Sequence, residues 1–98
     1  MLILRVLQFG RAHGFRIADA IQRSSHEALL VEQGSLYPAL HRLEERGWIV
    51  SSWDLSENHR RARFYSLTSK GRKQLVAETD RWEHLVRAVQ RVMRPAER

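Results

Sequence analysis

The side chains with chemical potential in this sequence are planar cations rather than nucleophiles. Fifteen of its 17 basic residues are arginines; only Lys70 and Lys73 are lysines. Arginine offers a flat, five-donor fork that suits phosphate oxygens and the guanine edge. Against 11 acidic residues the formal net charge is +6 in 98 residues, an excess that favours a polyanionic partner. Two clusters concentrate this chemistry. Ser35, Tyr37, His41 and Arg42 alternate with Leu36, Leu40 and Leu43, so hydroxyl, imidazole and guanidinium groups occupy the polar side of a helix. Residues Glu57 to Arg63 hold one acid and three arginines, with Asn58, Arg60 and Arg61 in a polar turn and Arg63 on a following strand.

Other chemistries find no residues to carry them. The chain has no cysteine, which removes disulfides, thiolate metal sites and a thiol nucleophile. It contains neither a G-x-S-x-G elbow nor a phosphate loop. Glu44 and Glu45 are neighbours on a helix and diverge, so they read as surface charges paired with Arg42 or Arg46. The histidines at 13, 26, 41, 59 and 84 lack any short ligand spacing, and no metal or cofactor is expected. His13, before a glycine at a helix junction, reads as a hydrogen-bonding packing residue. Met1–Phe9 is interrupted by Arg5 and Gln8 and is far short of the ~20 apolar residues of a membrane span. A cytoplasmic protein is expected.

The elements that must position the two clusters follow from periodicity. Met1 to Gly10 reads as a short helix with Leu2, Ile3, Val6 and Leu7 on one face, stopped by Gly10. It starts without a capping residue, which points to sequence upstream of Met1. Phe15 to Ser24 is a second helix with Ile17, Ala18, Ala20 and Ile21 inward, closed by Ser24-Ser25. Leu29-Leu30-Val31 is a small strand or an extended link. A third helix begins at Ser35 as N-cap, with Pro38 in its first turn, and ends at Gly47. The period then changes to two. Trp48 to Leu55 and Arg63 to Leu67 form a hairpin with a basic tip. Trp48 and Trp53 adjoin Ile49, Val50 and Leu55 and are expected to pack rather than to serve as a stacking platform. Thr68 caps a last long helix to about Met93, and Pro95 ends it.

Helix, helix, turn, helix and a basic hairpin is the pattern of a winged helix-turn-helix. The wording of the third helix is more specific. Gly34-Ser35-Leu36-Tyr37-Pro38-Ala39-Leu40-His41-Arg42-Leu43-Glu44-Glu45-Arg46-Gly47-Trp48-Ile49 closely resembles the signature of the PadR family of bacterial transcriptional regulators. His13-Gly14-Phe15 is similar to that family's His-Gly-Tyr element, with phenylalanine in place of tyrosine. Arg61-Ala62-Arg63-Phe64-Tyr65-Ser66-Leu67-Thr68-Ser69-Lys70-Gly71 resembles its second wing strand and the start of its last helix. The single C-terminal helix matches the short type of the family.

The resemblance implies a mainly α fold with a small β-hairpin, a winged helix-turn-helix over 1–67 and a dimerisation helix over 68–98. It implies double-stranded operator DNA as partner, met by Ser35, Tyr37, His41, Arg42, Asn58, Arg60, Arg61, Arg63 and Lys70. Leu75, Thr79, Trp82, Val86, Val89 and Met93 are spaced 4-3-4-3-4, a heptad seam longer than a lid for so small a domain needs. With the resemblance, that seam implies a homodimer. Trp82 is expected to anchor it, and a small hydrophobic effector lodged beside it is the second role the family offers. The expected function is a transcriptional repressor without enzymatic activity. A dimeric protein–protein interaction module on the same scaffold is the alternative, and it would have no need of Arg60 and Arg61.

Overall fold

A computed structural model describes residues 1–94, arranged α1 (Leu2–Leu7), β1 (Ala12–His13), α2 (Gly14–Ser24), α3 (Gln33–Glu45), β2 (Ile49–Leu55), β3 (Arg61–Leu67) and α4 (Ser69–Met93). The molecule measures 60 × 29 × 22 Å. One core serves its body: Leu4, Ile17, Leu40 and Ile49 are fully buried, and Ile3, Leu7, Ile21, Leu36, Tyr65, Leu67 and Leu75 surround them. Helix α1 packs on α2, β3 and α4. It turns Ile3, Leu4 and Leu7 inward and leaves Leu2 exposed, so its buried face is rotated from the expected one.

The sheet has three strands, not two. The order is β1-β3-β2, all antiparallel, with Ala12 opposite Tyr65 and Ile49 opposite Leu67. The additional strand lies at Ala12–His13 and not at Leu29–Val31. The latter segment joins no ladder, and two of its backbone donors go to side chains. Ser25 Oγ accepts the Leu29 N–H and Gln22 Oε1 accepts the Val31 N–H. At β1 the chain passes directly from strand to helix: His13 Nδ1 accepts the Arg16 N–H, which caps α2.

Helix α3 starts earlier than Ser35. Its N-cap is Glu32, whose carbonyl accepts from both Ser35 and Leu36 N–H groups, with no side-chain cap. Ser35 is therefore inside the helix, and Pro38 lies in the second turn, where it removes the N–H that would have bonded the Gly34 carbonyl. The other end is as expected. Trp48 N–H reaches the Leu43 carbonyl and Gly47 N–H the Glu44 carbonyl, with Gly47 left-handed at φ +76°. Leu43 and Trp48 both pack against the core and complete that cap.

Thr68 joins α4 to this junction. Its Oγ1 accepts the Gly71 N–H at 2.9 Å and lies 2.7 and 3.0 Å from the Gly47 and Trp48 carbonyl oxygens, which share its single hydroxyl proton. Gly71 is buried so tightly that a Cβ there would run into the Trp48 carbonyl oxygen. From Thr68, α4 extends 25 residues, roughly 38 Å at 1.5 Å per residue. Among them only Gly71 and Leu75 are buried. Pro95, expected to end the helix, lies outside the described residues.

Candidate nucleic-acid interface

Helix α3 divides cleanly between core and solvent. Leu36 and Leu40 are buried, while Ser35, Tyr37, His41 and Arg42 are exposed. Helical spacing puts Tyr37 and His41 on one flank of the exposed arc and Ser35 and Arg42 on the other. Gly34, between the flanks, has open space where a Cβ would project. Tyr37 is 47% exposed, yet its ring is held. It lies against Gly14 at the start of α2, where an added Cβ would meet the Tyr37 ring and hydroxyl at 2.8–3.0 Å. This close approach accounts physically for glycine in His13-Gly14-Phe15. His41 Nε2 stands 3.6 Å from Glu45, one turn on, whereas Arg42 has no ion-pair partner among the described residues. Glu45 thus pairs with His41 and Glu44 with Arg63; neither takes Arg42 or Arg46 as expected, because Arg46 instead lies over the Trp48 ring at 5.1 Å.

The wing is shaped by its turn. His59 N–H bonds the Ser56 carbonyl and Ser56 N–H the Arg60 carbonyl, with His59 left-handed at φ +58°. The turn is Ser56–Arg60. Arg61 is therefore not at the tip; it belongs to β3, opposite Leu55. Its guanidinium lies 4.9 Å from the Trp53 ring centre. Trp53 itself is 57% exposed, contrary to the packing expected of it. Ile49, Ser51, Trp53 and Leu55 form one face of β2, and that face leaves the core after Ser51. Trp48, by contrast, is half-buried against the core as expected.

The three wing arginines differ. Arg63 Nε donates to Ser51 Oγ at 2.8 Å and its Nη2 to Glu44 at 3.2–3.3 Å, while Ser51 Oγ donates to Glu44 at 2.6 Å. Arg63 thereby fastens the wing to the last turn of α3 and its charge is matched. Among the described residues no carboxylate pairs with Arg60 or Arg61. Two further pairs tie the wing to the region of β1 and α2: Asp54 to Arg11 at 2.8 Å, and Glu57 to Arg16, with His13 Nε2 3.7 Å from Glu57. Sequence reading missed both, since the partners are 41 and 43 residues apart. The hydrogen bond from Arg11, reinforced by the Leu55 N–H, holds the Asp54 carboxyl below the usual range. Burial pushes the Tyr65 phenol up, so it stays neutral.

A cleft of about 950 Å³ runs between these elements, lined by Tyr37 of α3, Phe15 and Arg16 of α2, and Trp53, Asn58 and Arg61 of the wing. Arg63 also lines it, as do the carboxylate residues Asp19 and Glu57. Ser35, His41 and Arg42 lie outside the cleft, on the exposed arc of α3. Lys70 stands apart at the other end of that helix, with its side chain about 4 Å from where a Gly47 Cβ would be. Arg60 is exposed at the tip.

The seam of α4 lies elsewhere. Leu75 is 4% exposed and belongs to the core of the body. Thr79 and Val86 are half-buried, while Trp82, Val89 and Met93 are exposed, together with Leu85 and Val92. Leu2 and Phe9 add exposed apolar surface on and just after α1. No helix among the described residues is long and apolar enough to cross a membrane.

Comparison with known proteins agrees with this architecture. The sequence model of the transcriptional regulator PadR-like family matches residues 3–77. The transcriptional regulator Rv3488 of Mycobacterium tuberculosis is 35% identical over 77 residues, covering 79% of this chain and 68% of that protein. A transcriptional regulator from Clostridium thermocellum superposes with a TM-score of 0.83 at 28% identity, over 92% of this chain and 87% of that one. A PadR family transcription regulator from Clostridium difficile shares the fold with a TM-score of 0.79 at 24% identity, over 94% of each chain. A mainly helical body, a three-stranded wing sheet and a long last helix make this a winged helix-turn-helix of the kind those regulators adopt. With three quarters of its length inside the family match, and with relatives that regulate transcription rather than catalyse reactions, the chain belongs to the PadR-like family of transcriptional regulators.

Proposed function

We propose that this regulator binds double-stranded operator DNA sequence-specifically, as a homodimer in the cytoplasm, and represses transcription. The observation that carries the reading is the pairing of an exposed polar arc on α3 with a cleft shared by Tyr37, Asn58 and the unmatched Arg61, on a chain of net charge +6. Helix α3 enters the major groove, with Ser35, His41 and Arg42 toward base edges and backbone. The Tyr37 hydroxyl, Asn58, Arg60 and Arg61 meet the sugar–phosphate backbone beside it. Arg63, already bonded to Glu44, supports the wing and contributes little to DNA. Lys70 contacts phosphate at the edge of the footprint.

Apart from Lys70, residues 1–67 carry this interface, and residues 68–98 carry the dimer contact. Beyond Leu75, α4 carries Trp82, Leu85, Val89, Val92 and Met93, about half to three-quarters exposed among the described residues. An apolar stripe of that extent fits a second copy of the helix. Two-fold symmetry then places the two α3 helices in successive major grooves, on half-sites centred about 10 bp apart or a multiple of that. A small hydrophobic ligand inserted beside Trp82 would release the DNA by altering that contact.

The test is selection of bound duplexes from a random pool, followed by affinity measurements on the selected and a scrambled duplex at several salt concentrations. Inverted half-sites and an affinity falling steeply with salt support the reading. A chain that dimerises yet binds no duplex at low salt would instead be an interaction module on this scaffold.

A further inference from the structure

The wing holds three arginines in three conditions: Arg63 is neutralised by Glu44, Arg60 is exposed at the tip with no carboxylate partner among the described residues, and Arg61 lies against an exposed indole. We propose that Trp53 is a positioning residue for Arg61, holding its guanidinium flat so that the edge of the group is presented to DNA phosphate in the cleft; this rests on the DNA-binding reading above.

Strand register sets up the pair. Trp53 is directly opposite Arg63, and Arg61 is opposite Leu55, two residues away on the same face. Arg63 could have covered the indole, but Ser51 and Glu44 draw its guanidinium toward α3. The face of Trp53 is left to its diagonal neighbour, well within the reach of an arginine across a ladder. Both side chains line the cleft with Tyr37 and Asn58.

The chemistry of stacking explains what this achieves. A guanidinium lying on an aromatic face keeps its N–H donors in its own plane, directed away from the ring. Its charge and its fork geometry remain available for two oxygens of one phosphate. What it loses is rotamer freedom, which an unsupported arginine must surrender on binding. Trp53 removes that loss in advance. An exposed indole on a wing contributes little to the core, so stability alone does not account for its place. Arg60, with no such support, is expected to contribute less to affinity than Arg61.

The experiment uses the full chain and two probes, a duplex selected by the unmodified protein and a scrambled duplex, with affinity read by fluorescence anisotropy. The variants are Trp53→Ala, Trp53→Leu, Trp53→Phe, Arg61→Ala and the double variant Trp53→Ala/Arg61→Ala. Trp53→Ala and Trp53→Leu should each weaken binding about two- to five-fold, the value of a solvent-exposed cation–π contact. Trp53→Phe, which keeps a ring face, should recover most of the loss. The double variant should bind no more weakly than Arg61→Ala alone, and Trp53→Ala should leave the salt slope unchanged because no charge is removed. The proposal is overturned if the losses multiply, or if Trp53→Leu binds like the unmodified chain. Arg61→Ala without effect on either duplex would remove the DNA-contact reading of the wing, and this proposal with it. Multiplied losses alongside a weakened Arg61→Ala remove the proposal alone.

Discussion

The α3–wing surface and the outer part of α4 both lie open to solvent, and they differ in almost every other respect. Around α3 the exposed groups are mostly polar, with Phe15 and Trp53 among them, and several are already held by neighbours. Tyr37 rests on Gly14, Arg61 on Trp53, and Arg63 on Ser51 and Glu44. Along α4 beyond Leu75 an exposed apolar stripe projects from a single helix, with charged groups such as Arg81, Glu83 and Arg87 beside it. A polar surface braced in this way is prepared for a ligand without first being covered. An apolar stripe on a lone helix is unfavourable until it is covered. The contrast teaches that exposure by itself identifies no role; the chemistry of what is exposed, and whether it is already braced, distinguishes a docking surface from half of an interface.

Trp82→Ala presses hardest on this comparison. If two copies of α4 bury Trp82 between them, its loss should weaken dimerisation by roughly 3–5 kcal/mol. Sedimentation equilibrium across micromolar concentrations reads that change directly. A monomer for the unmodified chain would show that the stripe has no second copy as its cover.

Gly71→Ala acts where the two regions meet. The new methyl would collide with the Trp48 carbonyl oxygen, so backbone must move. We expect a destabilisation of about 1–3 kcal/mol or more, against the gain of up to about 1 kcal/mol that alanine brings inside a helix. Urea denaturation monitored by circular dichroism measures it. A more stable variant would mean that α4 is not wedged against this junction.

Changes confined to the polar surface should leave dimerisation untouched and separate helix from wing. Arg42→Ala should cost about 1–3 kcal/mol on the selected duplex and much less on a scrambled one, if Arg42 reads a base edge. Arg60→Ala should weaken both duplexes alike and lower the salt slope by about one. Equal losses on both duplexes for Arg42→Ala would assign it to phosphate.

The smallest expected effect belongs to Asp54, which braces the wing through Arg11. Its folded carboxyl titrates below the ordinary value of 3.8. The stabilisation it provides is therefore complete above about pH 4 and lost as pH falls through the lowered folded value. Thermal melts between about pH 5 and about pH 2.5 should show a shallower acid decline for Asp54→Asn than for the unmodified chain. An identical decline in both would show that the pair does not brace the wing.

Much of this architecture is legible in the sequence. Periodicity located α2 and α4, and Gly47 and Thr68 marked real ends, because those signals are local: an apolar repeat, a left-handed glycine, a hydroxyl cap. The start of α3 was misread because Glu32 caps it through its backbone alone, while Ser35 carried the side chain associated with caps. Strand β1 has two residues, too few for any alternation to appear. Trp53 was expected to pack because its sequence neighbours are apolar, and local sequence does not reveal where a strand leaves the core. The residues of the candidate interface stood out by type, but their conditions did not. That Arg63 is matched and Arg61 lies over an indole depends on Glu44 and Trp53, which reach them only through tertiary structure and strand register.

The joint at Thr68 has a mechanical consequence. One hydroxyl reaches the two carbonyls that follow α3, and Gly71 leaves no gap beneath the first turn of α4. The long helix is thus set like a spoke in a hub, hydrogen-bonded and closely packed at its root. Over roughly 38 Å a tilt of five degrees moves the far end by about 3 Å, close to the rise of one base pair. If two such spokes meet at their outer ends, any play at the hub would appear as uncertainty in the distance between the two α3 helices. A stiff root turns α4 into a ruler, and a duplex with one base pair inserted between its half-sites should be refused rather than accommodated.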